Sequence, residues 1–343
     1  MDQRKTELHN WLTHSLCHQV NSLEPASADA SFRRYFRAVT DRGTFIAMDA
    51  PPEKEDCQPF IDAADWLADL GVHTPKISAH DVAQGFILLE DFGHRTYLDE
   101  LQANADELYS KAIDALIKIQ SGVTDQSNST PPPYSGAKLS EEMSLFSRWY
   151  VNQHLGRSIH EPSFAVWLHT QQYLAMACLK QPQVWVHRDY HSRNLMITKS
   201  NSPGVIDFQD LVVGPIGYDL ASIFKDCYIE WPRSRQQIWL EEYRVKAVAL
   251  LDLPDFSLET LTRWVDFAGL QRHLKVLGIF CRLSYRDGKD NYLNDLPLVA
   301  KYVLEVLEIY PELEAFKNHF EGHIQAALSK PALSKPVLSK PVL

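Results

Sequence analysis

One polar octapeptide, His187-Arg188-Asp189-Tyr190-His191-Ser192-Arg193-Asn194, constrains this chain more than any other stretch. It lies between two short apolar runs, Val184-Trp185-Val186 and Leu195-Met196-Ile197, whose β-branched content reads as two strands joined by a loop. A turn at Ser200-Asn201-Ser202-Pro203 leads into a third strand, Gly204-Val205-Ile206, with Asp207 at its end, thirteen residues after Asn194. The expected result is a rigid hairpin that aims Asp189, Asn194 and Asp207 at one spot.

Those three side chains are what phosphoryl transfer from a nucleotide needs. One carboxylate accepts the proton of the attacking hydroxyl, while an amide oxygen and a second carboxylate hold metal ions on the transferred phosphate. Asp189 reads as the base, Asn194 and Asp207 as Mg²⁺ ligands. The plain alternative is an Asx turn at Asp189 and Asn194 with a strand cap at Asp207, and it leaves their order and separation unexplained.

At 343 residues the chain is long for one core and suits two lobes of unequal size. A formal net charge of -10 and a pI near 5.8 argue against nucleic acid and anionic membranes, and favour a small-molecule partner. The cysteines at 17, 57, 178, 227 and 281 form no C-x-x-C pair and are odd in number, so neither a zinc site nor a disulfide framework is expected. No apolar stretch has the form of a signal peptide or the length of a membrane span, and a soluble, cytoplasmic protein is expected.

Apolar spacing predicts a helix over about residues 4 to 20, then strands over 32–39 and 44–50 around the turn Asp41-Arg42-Gly43. A helix over 57–70 ends at Gly71, and strands at 76–79 and 86–89 run into a hinge, Glu90-Asp91-Phe92-Gly93. Next come a helix over 97–120, a Pro/Ser/Asn-rich loop over 121–138, helices from Ser140 and over 161–180, and a nearly all-helical remainder beyond Asp219. Strands first and helices later indicate an α+β fold in two lobes. The first, 1–92, holds the N-terminal helix, the sheet and one helix; the second, 93–328, is helical and holds the catalytic hairpin. Ser-Lys-Pro recurs at 329, 334 and 339, and its prolines make 329–343 a flexible tail.

The octapeptide, the Asp207 motif and Gly217-Tyr218-Asp219-Leu220-Ala221 together resemble the aminoglycoside phosphotransferase and choline kinase family. The resemblance implies a protein-kinase-like fold. Asp29-Ala30-Ser31-Phe32-Arg33-Arg34-Tyr35-Phe36-Arg37 and Met48-Asp49-Ala50-Pro51-Pro52 further resemble bacterial anomeric sugar kinases that act on N-acetylmuramate and N-acetylglucosamine in peptidoglycan recycling. This second resemblance implies ATP as donor, Mg²⁺ as cofactor, an amino sugar as substrate, and a sugar 1-phosphate passed to a nucleotidyltransferase without a stable complex. It also makes His187 and His191 supports of the loop and Asp219 its buried brace. Aminoglycoside or choline acceptors, and a nucleotide-binding pseudokinase, stay open as alternatives. Protein kinases share H-R-D-x-x-x-x-N, but only ten residues separate Phe208 from Asp219 and no A-P-E occurs, which leaves no room for a polypeptide-docking loop.

The chain departs from protein kinases at the phosphates. Ile46-Ala47-Met48-Asp49 stands where they carry V-A-I-K, which reads as an aspartate at the lysine position, and Ser27-Ala28-Asp29-Ala30-Ser31 replaces the glycine-rich loop. A guanidinium from Arg33, Arg34 or Arg37 is a candidate substitute, with alternation placing Arg33 and Arg37 on one strand face and Arg34 on the other. The alternative is a solvated basic strand. The family layout further implies that Glu90 to Phe92, in the hinge, meet the adenine edge through backbone groups. Arg272, His273, Lys275, Arg282 and Arg286 are candidate partners for a sugar carboxylate, each otherwise an ordinary helix-surface charge.

Overall fold

In a computed structural model that describes residues 2–27, 32–123 and 130–328, the early strands join into one antiparallel sheet of five, in the order β1-β2-β3-β5-β4. Residues 28–31 of the loop expected at the phosphates, 124–129 of the Pro/Ser/Asn-rich loop and the Ser-Lys-Pro tail at 329–343 lie outside the described residues. Helix α1 (Gln3–Asn10) continues as a wider π turn over Trp11–Ser15 and stops there, short of the expected residue 20. Cys17 takes a left-handed φ of 55°, which turns the chain out of the helix, and Val20 opens β1 (Val20–Ser27) instead. β1 is an edge strand, the one place in a sheet that tolerates a proline such as Pro25, and its register slips beside that residue.

β2 (Arg34–Thr40) and β3 (Gly43–Asp49) form the expected hairpin across Asp41-Arg42, and Gly43 takes the φ of +127° that the return requires. α2 (Gln58–Asp69), β4 (Ile77–Asp81), β5 (Phe86–Glu90) and α3 (Tyr97–Gln120) follow, α3 opening with a reciprocal Thr96–Asp99 capping box. Strand alternation divides the sheet cleanly. Phe36, Ala38, Ala47, Phe86 and Leu88 bury against Leu8, Trp11 and Leu12 of the N-terminal helical segment. Tyr35, Arg37, Ile46 and Leu89 face the other way, into a cavity.

That division corrects one expectation. Asp49 shares the parity of Ala47 and sits on the α1 face, fully buried, paired with Arg4 and with its cross-strand neighbour Arg34. The position that follows Ile46 on the cavity face is Met48. The sequence pattern thus puts the lysine position one residue late, and a slip of one in a strand exchanges the two faces.

By internal packing the chain divides into two units, Met1–Ser135 with Ala177–Gly269, and Gly136–Met176 with Leu270–Leu343. After α4 (Gly136–Leu145) and α5 (Ser163–Leu179), the first unit resumes with β6 (Gln183–Val186), β7 (Leu195–Met196), β8 (Gly204–Val205) and β9 (Val212–Pro215). Helices α6 (Gly217–Phe224), α7 (Arg233–Leu250) and the start of α8 (Leu258–Asp287) complete it. The polar octapeptide does not cross a hairpin as expected. β6 pairs with β9 and β7 with β8, so the loop links two separate two-stranded ladders.

In the second unit, α4 begins at Gly136 rather than Ser140 and runs into a π segment, Phe146–His154. The rest of α8, α9 (Leu296–Ile309) and α10 (Glu314–Gln325) follow, and the rings of Phe146 on the π segment, Trp167 on α5, and Phe316 and Phe320 on α10 cluster at 4.8 to 6.5 Å from one another. Among the described residues no helix is long and apolar enough to cross a membrane.

Candidate active site

The octapeptide is fixed from below by buried groups. His187 and Arg188 donate their backbone N–H groups to the two oxygens of Asp219, at 2.7 and 3.0 Å, from the first turn of α6. Ser192 donates its N–H and its hydroxyl to one oxygen of Asp226. Tyr190 reaches through the core to the Ala112 carbonyl on α3 at 2.8 Å. Sequence reasoning missed Asp226, which belongs to no spaced motif, and Tyr190, which fills an unspecified position of one.

His187 has no exposure and its tautomer follows from its neighbours: Nδ1 accepts from the Asp189 N–H at 3.3 Å, so Nε2 carries the proton and donates to the Ile206 carbonyl at 3.0 Å. Burial, against a smaller opposing pull from Asp189, pushes its pKa from 6.5 down to about 4. Below pH 6.5 the unfolded chain takes up this proton before the folded one does, so stability falls as the pH drops toward 4 and levels off beneath. The expected contribution is roughly 3 kcal/mol at most, read from urea unfolding across that range, and His187→Gln should lack it.

Above this base Asn194 meets Asp207, while Asp189 takes part through its backbone carbonyl and does not line the cavity. The Asn194 amide nitrogen donates to the Asp189 backbone carbonyl at 3.0 Å and to Asp207 Oδ2 at 3.2 Å, which leaves its oxygen for a cation. Gln209 holds the other Asp207 oxygen at 2.8 Å. Asp207 and Arg188 both have left-handed backbones, with φ of 63° and 74°, a strain that persists only where surrounding bonds enforce it. Arg188 is held near Asp210 and over the Tyr134 ring, a loop-bracing arrangement.

Asn194, Asp207 and Phe208 line a cavity of about 410 Å³ together with Tyr35, Arg37, Ile46, Leu89, Glu90, Phe92 and Arg193. The hinge wall is clamped, since Arg37 binds both oxygens of Asp91, at 2.6 and 3.0 Å, and the Gly93 carbonyl at 2.7 Å. Phe92 packs where Gly204 has no side chain; a Cβ there would sit 2.5 Å from the ring. Hard oxygen donors from Asn194 and Asp207 suit Mg²⁺, and among the described residues no group of three or more His, Cys, Asp or Glu is placed to hold a metal. Such an ion would take most of its shell from phosphates and water.

The three strand arginines have separate fates. Arg34 is engaged by Asp2 and Asp49, on the face away from the cavity. Arg37 braces the hinge. Arg33 pairs with Glu55 at 3.4 Å, and although burial lowers its pKa, Tyr35, Glu55, Asp210 and Asp207 more than reverse this, which places it within electrostatic reach of Asp207.

The α8 candidates lie in the second unit, and three are not surface charges. Arg272, His273 and Lys275 are buried, with His273 stacked on Tyr302 and Lys275 paired with Glu142 at 3.2 Å. Arg286 is exposed and taken up by Asp287, while Arg282 is half-buried with no ion pair among the described residues. His191 stands edge-on to Tyr228.

A small antiparallel sheet followed by a mainly helical remainder, with Asp189, Asn194 and Asp207 on the connecting loops, is the α+β, protein-kinase-like architecture of phosphoryl-transfer enzymes. The chain belongs to the phosphotransferase enzyme family, whose model matches residues 22–252. It is 46% identical over 295 residues, 86% of each chain, to the N-acetylmuramate/N-acetylglucosamine kinase of Pseudomonas putida. The enzyme of that name from Neisseria meningitidis is 38% identical, over 91% of this chain and 93% of its own. Among solved structures, choline kinase LicA of Streptococcus pneumoniae shares the fold at a TM-score of 0.60 and 15% identity, covering 88% of this chain and 100% of that one. The ADP-bound aminoglycoside phosphotransferase APH(2'')-Ib does so at 0.59 and 14%, covering 88% and 97%.

Proposed function

We propose that this chain transfers the γ-phosphoryl group of ATP to the anomeric hydroxyl of N-acetylmuramate and N-acetylglucosamine, giving the sugar 1-phosphate. The observation that carries the substrate is the 46% identity, along 86% of both chains, to a kinase named for those two sugars. In this reading the anomeric O–H gives its proton to Asp189 as its oxygen bonds to the γ-phosphorus and the bond to the β-bridging oxygen breaks, releasing ADP. A hemiacetal hydroxyl is more acidic than an ordinary alcohol, so an aspartate suffices. Asn194 and Asp207 would hold Mg²⁺, which when bound neutralises charge on the phosphate oxygens. Glu90 and Phe92 would meet the adenine, the lobes dividing at 92 and 93.

A sugar 1-phosphate is an activated precursor, so the product fits consumption by a nucleotidyltransferase in cell-wall recycling, without a stable complex. The test is purified chain with Mg·ATP against both sugars, other amino sugars, choline and aminoglycosides, with products read by phosphorus NMR. A phosphate coupled to the anomeric proton is expected with the two named sugars. Turnover confined to choline or an aminoglycoside, or no turnover at all, would overturn the proposal.

A further inference from the structure

Neither Met48 nor Asp49 brings a cation to the cavity face of β3, and Arg37 is committed to the hinge. The cavity wall nonetheless carries Glu90, Asp91 and Asp207, and a nucleotide entering it would bring phosphates. Among its lining residues the remaining permanent cation is Arg193.

Arg193 is unusually well held for an exposed side chain. Its backbone is fixed on one side by Ser192, bonded twice to Asp226, and on the other by Asn194. Its guanidinium lies over the Tyr228 ring, 3.5 Å from the centroid, and Tyr228 donates its own N–H to the second oxygen of Asp226 at 3.0 Å. One buried carboxylate thus positions both the arginine and the platform it rests on. A guanidinium stacked by its face keeps its in-plane N–H groups for edge-on, bidentate bonding, and no carboxylate among the described residues pairs with this one.

We propose that Arg193 is the anion-binding residue of this cavity, donating edge-on to an oxyanion of a reactant. Two sources share that chemistry: a phosphate of the nucleotide and, resting on the function proposed above, the lactyl carboxylate of N-acetylmuramate. Stacking sets the guanidinium in place before the ligand arrives, so little ordering is left to do on binding.

The test is steady-state kinetics of the full chain as wild type, Arg193→Gln and Arg193→Lys, with ATP, N-acetylmuramate and N-acetylglucosamine varied in turn, alongside thermal unfolding and calorimetric titration with Mg·ATP. Losing a charge-assisted, bidentate contact is expected to raise the affected KM by about tenfold to a hundredfold in Arg193→Gln, with partial recovery in Arg193→Lys and an unchanged Tm. If the partner is a phosphate, the KM for ATP rises with either sugar. If it is the carboxylate, only the KM for N-acetylmuramate rises. Wild-type values for all three reactants in Arg193→Gln would overturn the inference. Should the wild type turn over neither sugar, the proposed function fails by itself, and undiminished Mg·ATP affinity in Arg193→Gln would overturn the Arg193 assignment separately.

Discussion

Asp189→Asn is expected to lower kcat by about 10² to 10⁴-fold while leaving Mg·ATP affinity close to that of the wild type. The substitution keeps the size and the backbone of the loop, including the carbonyl that Asn194 binds, and removes only the ability to accept a proton. Asn194 and Asp207 are untouched, so nucleotide and metal should still bind. Calorimetry with Mg·ATP and single-turnover phosphoryl transfer separate the two quantities. A variant that binds poorly, or one that turns over normally, would remove Asp189 from the chemistry.

The largest expected effect on stability lies away from the cavity, at Asp266→Ala. Asp266 on α8 is bound by Lys225 at the end of α6, at 2.7 Å, and by Arg233 at the start of α7, at 2.6 and 3.2 Å. Asp266 and Lys225 are 1 and 2% exposed, so the ammonium has little water to turn to when the carboxylate is gone. Removing one member of a buried pair costs about 3–5 kcal/mol, and urea denaturation should show a loss of that order. Burial raises the Asp266 carboxyl, but Lys225 and then Arg233 outweigh it and hold it below its ordinary 3.8. This stabilisation is therefore present above pH 3.8 and fades only as the pH falls through the lower folded value. A cost near zero would mean that the triad ties no helices together.

Sequence spacing carried the parts of this molecule that are local. The hairpin at Asp41-Arg42-Gly43, the helix over 97–120 and the closing Gly71 are set by neighbours a few residues apart, and each is where its pattern puts it. The parity of Arg34 against Arg37 follows from strand alternation alone. Parity also exposed the misplacement at Asp49, because hydrophobic and polar residues mix on β3 and only its register with β5 tells which face is which.

Long-range pairing was not legible. Val184 to Val186 and Leu195 to Ile197 look like partners, yet each prefers a strand further along the chain, and the four-residue partner Val212–Pro215 contains both a glycine and a proline. β1 was invisible because its polar residues and Pro25 are tolerated only at an edge. On α8, charges that read as solvated are interior, since burial of Lys275 depends on Glu142, over a hundred residues away. The placement of Arg193 rests on Tyr228, which no spacing rule connects to it.

Met48, rather than a lysine, follows Ile46 on the cavity face of β3, and this bears on how the enzyme is controlled. Protein kinases switch themselves on by bringing a glutamate of the following helix into an ion pair with the strand lysine. Here α2 has no ammonium on that strand to grip, so swinging this helix outward would break no such bond.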